Sequence, residues 1–96
     1  MQTTLTPSVV EAADGLTKMS ISSIAQLIRG SWNPVYFGAA PYLKAMHSMA
    51  SIDESYGCDS GRGIVMYFLA NAQTWRGPVA REVKKELNRR LKGGRG

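Results

Sequence analysis

The chain has little of the side-chain chemistry on which most active sites depend. It holds one cysteine, Cys58, and one histidine, His47, in 96 residues. A single thiol excludes an internal disulfide framework and any cysteine-rich zinc site, and it suits a reducing compartment. No basic residue precedes Lys18, so a secretory leader with a charged start is not expected. The longest unbroken apolar run, Ile64 to Ala70, is far shorter than the roughly 20 residues a helix needs to cross a bilayer. The expectation is a cytoplasmic protein with no membrane partner and no cofactor.

Candidate catalytic groups fare no better. A general base needs a nucleophile or an orienting carboxylate within reach. His47 lies among Met and Ala, where a surface or interface histidine is the plainer reading. Cys58 is followed by Asp59, whose charge raises rather than lowers a thiol pKa. Asp53-x-Ser55-x-Gly57-x-Asp59 resembles the start of a calcium loop. Cys58 stands where that loop needs glycine, and Ile64 where it needs the bidentate glutamate. Gly57, Gly61 and Gly63 precede no Lys-Ser/Thr and follow no strand, so they do not make a phosphate loop. No catalytic, metal or cofactor residue is assigned, and the protein is not expected to be an enzyme.

What is present is a compact apolar complement, 44% of the residues, with 20% charged. That suits one small domain and is too apolar for a disordered chain. A chain of this length removes only about 60–65% of its extended surface from water, so it supports a single small core.

The fold expected is all-α, about five short helices. Residues 1–19 read as a flexible or partly helical arm, with Thr6-Pro7 able to open a short helix that Gly15 ends. Residues 20–92 form the domain and 93–96 a tail. Ser20 or Ser22 caps a helix carrying Ile21, Ile24, Ala25, Leu27 and Ile28 at helical spacing. Asn33 and Pro34 open a further turn of helix, which breaks near Gly38 to Ala40. Pro41 starts the next, to about Met49. Ser51-Ile-Asp-Glu54 matches a capping box for a short helix over 52–56. Asp59 or Ser60 caps a helix over 60–72 whose apolar centre, Ile64 to Ala70, predicts a central, buried element. A strand is the rival reading there, but the chain offers no partner strand.

The last helix, 78–92, is the clearest. Val79, Val83, Leu87 and Leu91 recur every four residues with Ala80 beside them. Arg81, Lys84, Lys85, Asn88, Arg89 and Lys92 fill the opposite arc, and Arg90, near the apolar stripe, would have to reach out to water. The charge is lopsided. Residues 1–80 carry five basic and five acidic groups, so the net charge of +5 lies wholly within residues 81–96. Such a face either keeps a small protein dissolved or meets phosphates or acidic protein surfaces. The two tryptophans, Trp32 and Trp75, sit in turns. They are either core or exposed anchors, and Trp75 beside Arg76 has the composition of a binding hot spot.

Trp32-Asn-Pro-Val-Tyr-Phe-Gly-Ala-Ala-Pro-Tyr-Leu43 and Tyr67-Phe-Leu-Ala-Asn-Ala-Gln-Thr-Trp-Arg-Gly77, with Ala80-Arg81 and Lys85-Glu-Leu87, resemble short reading frames of phages, prophages and plasmids. The likeness covers about residues 22–92. It implies a mobile-element accessory protein acting by binding, as anti-CRISPR proteins do, and it transfers no catalytic residue. The function expected is a non-enzymatic, phage-type binding protein that engages a nucleic-acid-binding or nucleoprotein surface and inhibits a host defence complex. Its site would be Trp75, Arg76, Arg81, Lys84, Lys85, Arg89 and Lys92, with a host protein, a nucleoprotein complex or nucleic acid as partner. The competing readings are direct nucleic-acid binding, a protein inhibitor docking by an aromatic patch, and a homodimer through Met46 and Met49.

Overall fold

The computed structural model describes residues 15–56 and 59–93. The short helix expected after Thr6-Pro7, Cys58 and the end of the tail lie outside them. Among the described residues there are four helices rather than about five: α1 (Ile21–Ser31), α2 (Ala40–Met46), α3 (Gly61–Ala70) and α4 (Pro78–Gly93). A two-residue antiparallel ribbon, β1 (Ser55–Tyr56) with β2 (Asp59–Ser60), leads into α3 and pairs Ser55 with Ser60 and Tyr56 with Asp59.

The helix starts are set by hydroxyl caps. Ser20 Oγ accepts from the Ser23 amide at 3.1 Å, and Ser60 Oγ accepts from the Gly63 amide at 3.0 Å. Each satisfies one of the amides that the first turn leaves without a partner. Pro41 stands in the first turn of α2, where its missing N–H costs nothing. α4 is entered through Gly77, whose φ of 114° is one that side-chain-bearing residues rarely adopt; its carbonyl accepts from the Arg81 amide.

Ile21, Ile24, Ala25 and Ile28 of α1 present one buried stripe. It meets α2 and α4, while α2 packs along α3. Leu43 and Met46 of α2, Ile64, Val65 and Phe68 of α3, and Val83 and Leu87 of α4 complete a single core. Leu16, upstream of the cap at Ser20 and within the stretch expected to be an arm, is buried in that core.

Four sequence expectations change. The helix over 52–56 does not form. Ser51 Oγ accepts from the Asp53 amide, Glu54 reaches back to the Ala50 amide, and the box closes one turn only. Ile52 is buried and Asp53, Glu54 and Ser55 are exposed, so among residues 52–55 no apolar stripe carries a helix onward. Residues 32–36 are likewise non-helical, and helix resumes at Ala40.

α3 is not a central helix enclosed on every side. Its buried stripe covers one side, and Met66 and Tyr67 on the other stand 58% and 54% exposed. Finally, Met46 and Met49 are buried within the domain's own core. Both side chains are committed to the domain's own packing rather than exposed as the homodimer reading has them.

Candidate binding interface

α4 turns a narrow cationic face to solvent. Arg81, Lys85, Asn88, Arg89 and Lys92 are exposed, whereas Ala80, Val83, Glu86, Leu87 and Arg90 are buried. The axis of burial therefore runs along 80, 83, 87 and 90, one position round from the stripe that Val79 and Leu91 suggest. Arg90 consequently points inward. It does not reach out to water: its Nε donates to Glu86 Oε2 at 2.6 Å, and Nη2 donates to the Leu16 carbonyl at 2.7 Å.

Glu86 also takes two hydrogen bonds from Arg89, at 2.9 and 2.7 Å. These hold the Glu86 carboxyl below its usual range, against the opposing effect of burial and with further help from Arg90. Arg89 remains half-exposed, but its charge is matched by Glu86.

The sequence-expected residues therefore divide. Trp75 is only 3% exposed. It stacks on Trp32 with ring centroids 5.7 Å apart and planes 10° from parallel, and Trp32 meets Phe68 edge-on at 6.3 Å. It is a core residue, not an exposed anchor, because two large rings bury more area against each other than either would leave in water. Lys84 is drawn to the same place: its Nζ donates to the Trp75 carbonyl at 2.6 Å. Burial, and then the charge of Arg76, push the Lys84 ammonium pKa below its ordinary value.

Trp75, Arg76, Arg81 and Lys84 together line an open hollow of about 310 Å³ at the start of α4. Beyond it, Arg81, Lys85 and Lys92 continue along the exposed arc. At 1.5 Å per residue, Arg81 and Lys92 stand roughly 16 Å apart along the axis.

Arg62 closes the other end of α4. It donates to the Leu91 carbonyl at 3.0 Å and to Asp53 at 3.1 Å, placing a cation at the negative end of the helix dipole.

Sequence reasoning missed the exposed apolar residues. Tyr36, Phe37, Met66 and Tyr67 all face solvent, Phe37 at 80%. Tyr36 and Phe37 lie 4.9 Å apart, and Tyr67 packs 5.4 Å from Tyr42. Two shallow hollows meet at Ala70. One, between α3 and α4, is lined by Met66, Leu69, Asn88, Leu91 and Lys92; the other reaches Tyr36, Asn71, Gln73 and Thr74. The signal was weak because α3 is apolar on both sides. Only the spacing of Gly61, Ile64, Val65 and Phe68, a complete buried stripe, shows that Met66 and Tyr67 fall outside it.

His47 accepts a hydrogen bond from Arg29 Nε at 3.1 Å. Burial first, and then the Arg29 charge, lower its pKa. An arginine donor offers no orienting carboxylate, so this pair is not the arrangement of a general base. Among the described residues no three His, Cys, Asp or Glu side chains converge as metal ligands, and no helix is long and apolar enough to cross a membrane. Comparison with protein-family models, with curated proteins and with solved structures finds no match.

Proposed function

We propose that this is a non-enzymatic binding protein that lays the exposed arc of α4 against phosphates, either on nucleic acid alone or on the nucleic acid of a nucleoprotein complex. The observation that carries this reading is the run of exposed cations Arg76, Arg81, Lys85 and Lys92, for which no carboxylate partner is found among the described residues. The bare nucleic-acid-binding groove of another protein is a poorer partner, because such grooves are themselves cationic and would repel this face. Interference with a host defence complex extends this proposal through the sequence likeness over residues 22–92 alone; no comparison adds a relative to it.

Fluorescence anisotropy with labelled oligonucleotides, read across a salt series, tests the reading. Three to four phosphate contacts give a log affinity that falls with log salt at a slope of about −3. The triple variant Arg81→Glu, Lys85→Glu, Lys92→Glu alters only exposed positions, so it keeps the helical circular dichroism while losing binding. Unchanged binding by that folded variant removes α4 as the interface.

A further inference from the structure

Resting on the reading of α4 as a phosphate-facing helix, we infer that the nucleic acid it takes is single-stranded. The bases would seat on the apolar ledge of Met66, Tyr67 and the Tyr36-Phe37 pair, and the phosphates along Lys92 and Arg81.

A duplex already stacks its base faces on one another, so it presents phosphates and groove edges to a protein. The cations of α4 alone would hold it as well as a single strand. The exposed rings would then be left in water with nothing to do. Unpaired bases offer π-faces, and any base can stack on an aromatic side chain. Phe37 at 80% and Tyr67 at 54% exposure are the kind of surface rings such stacking needs.

The cationic edge also runs into part of the apolar surface, since Met66 lines the first of the two hollows that meet at Ala70 and Tyr36 the second. Ala70 lines both the hollow that ends at Lys92 and Asn88 and the hollow that ends at Tyr36. Lys92 is thus at the rim of an apolar groove whose other side carries Met66, and Arg81 lies on the same exposed arc of α4. A strand crossing Ala70 would keep its charged backbone at the α4 edge and its bases toward α3 and the Tyr36 segment. An unpaired strand matches both halves, with charge on one side and stacking surface on the other, whereas a duplex matches only the first.

The test measures binding of 16-nucleotide oligothymidylate and oligouridylate, and of a mixed-sequence 16-base-pair duplex, at one fixed salt concentration. The proteins compared are the unaltered chain, the single variant Phe37→Ala, the double variant Phe37→Ala with Tyr67→Ala, and the α4 triple variant. Phe37 is 80% exposed, so the single variant keeps its fold even if the double one does not. The expected result is at least tenfold tighter binding of a single strand than of duplex. The aromatic variants lose that preference, with duplex affinity unchanged, and the triple variant loses both. Equal affinity for single strand and duplex, or aromatic variants that bind single strands undiminished, overturns this inference and leaves the phosphate-facing helix standing. If no oligonucleotide binds the unaltered chain, both readings fall.

Discussion

Glu86 and Arg90 form an ion pair 2.6 Å long with both side chains buried, one helical turn apart on the inward face of α4. Arg90 then reaches across to the Leu16 carbonyl at 2.7 Å. The pair thus ties the segment before α1 to the last helix, and it accounts for two charges that would otherwise be added to the outer face.

Removing one partner of such a pair leaves an uncompensated charge away from water, which costs about 3–5 kcal/mol. In a domain whose whole stability is on the order of 5–15 kcal/mol, that is a severe loss. Glu86→Ala is therefore expected to shift the urea midpoint strongly downward. The joint replacement Glu86→Leu with Arg90→Met keeps the volume and removes both charges, and it is expected to recover most of the loss. A double variant no more stable than the single one would mean that the Leu16 carbonyl contact, not the ion pair, dominates.

Acid should weaken the fold in two stages. Burial and Arg29 depress the His47 pKa, so the unfolded chain takes up that proton first, near pH 6.5. The contribution of His47 is complete above that value and is lost as pH falls toward its folded pKa. The Glu86 pKa is also depressed, first by its Arg89 hydrogen bonds. Its contribution is present above the ordinary carboxylate value of about 4.3 and is lost as pH falls through the folded one. Stability measured by urea unfolding should therefore slope downward gently from about pH 6.5 and more steeply below about pH 4.3. His47→Gln is expected to flatten only the first region, and Glu86→Gln only the second.

Two glycines should respond to alanine in opposite directions. At Gly61 a Cβ would meet the carbonyl oxygens of Glu54 and Ile52, each at 2.6 Å, and the Gly61 amide already donates to Glu54. Backbone on two sides cannot give way, so Gly61→Ala is expected to cost about 1–3 kcal/mol or more. At Gly30, inside α1, a Cβ meets nothing within 4 Å. Gly30→Ala lowers the entropy of the unfolded chain and suits a helix, and it is expected to add about 0.4–1 kcal/mol. Thermal unfolding of the two variants side by side checks both signs.

Periodicity carried the most information where polarity alternates strongly. α1 and α4 lie close to where apolar spacing puts them, and Ser20 and Ser60 cap as their position before apolar runs suggests. It failed where both faces are apolar. The Ile64–Ala70 run looked enclosed because nothing in it is charged, yet the small number of neighbours leaves Met66 and Tyr67 outside. Local cap chemistry at Ser51 and Glu54 was real but had no apolar stripe to extend. The cations Arg76, Arg81, Lys85 and Lys92 were legible because an exposed charge needs no tertiary partner. The fates of Arg89, Arg90 and Lys84 were not, since each depends on a contact that only the folded backbone supplies. In Lys84 that contact is the Trp75 carbonyl, nine positions away.

Trp75 and Arg81 separate structure from recognition. Both line the hollow at the start of α4, but their surroundings differ. Trp75 is stacked on Trp32 and almost wholly buried, so Trp75→Ala opens a large hole in the core. The expected cost is about 3–5 kcal/mol, and any loss of binding should track the fraction unfolded. Arg81 is exposed, so Arg81→Ala should leave the urea midpoint within about 0.5 kcal/mol of the original. It should nevertheless weaken phosphate binding and reduce the salt slope by about one. Measuring unfolding and anisotropy on the same samples distinguishes the two. A Trp75→Ala protein that stays fully folded yet fails to bind would make the ring a contact residue after all, which its stacked, buried position argues against.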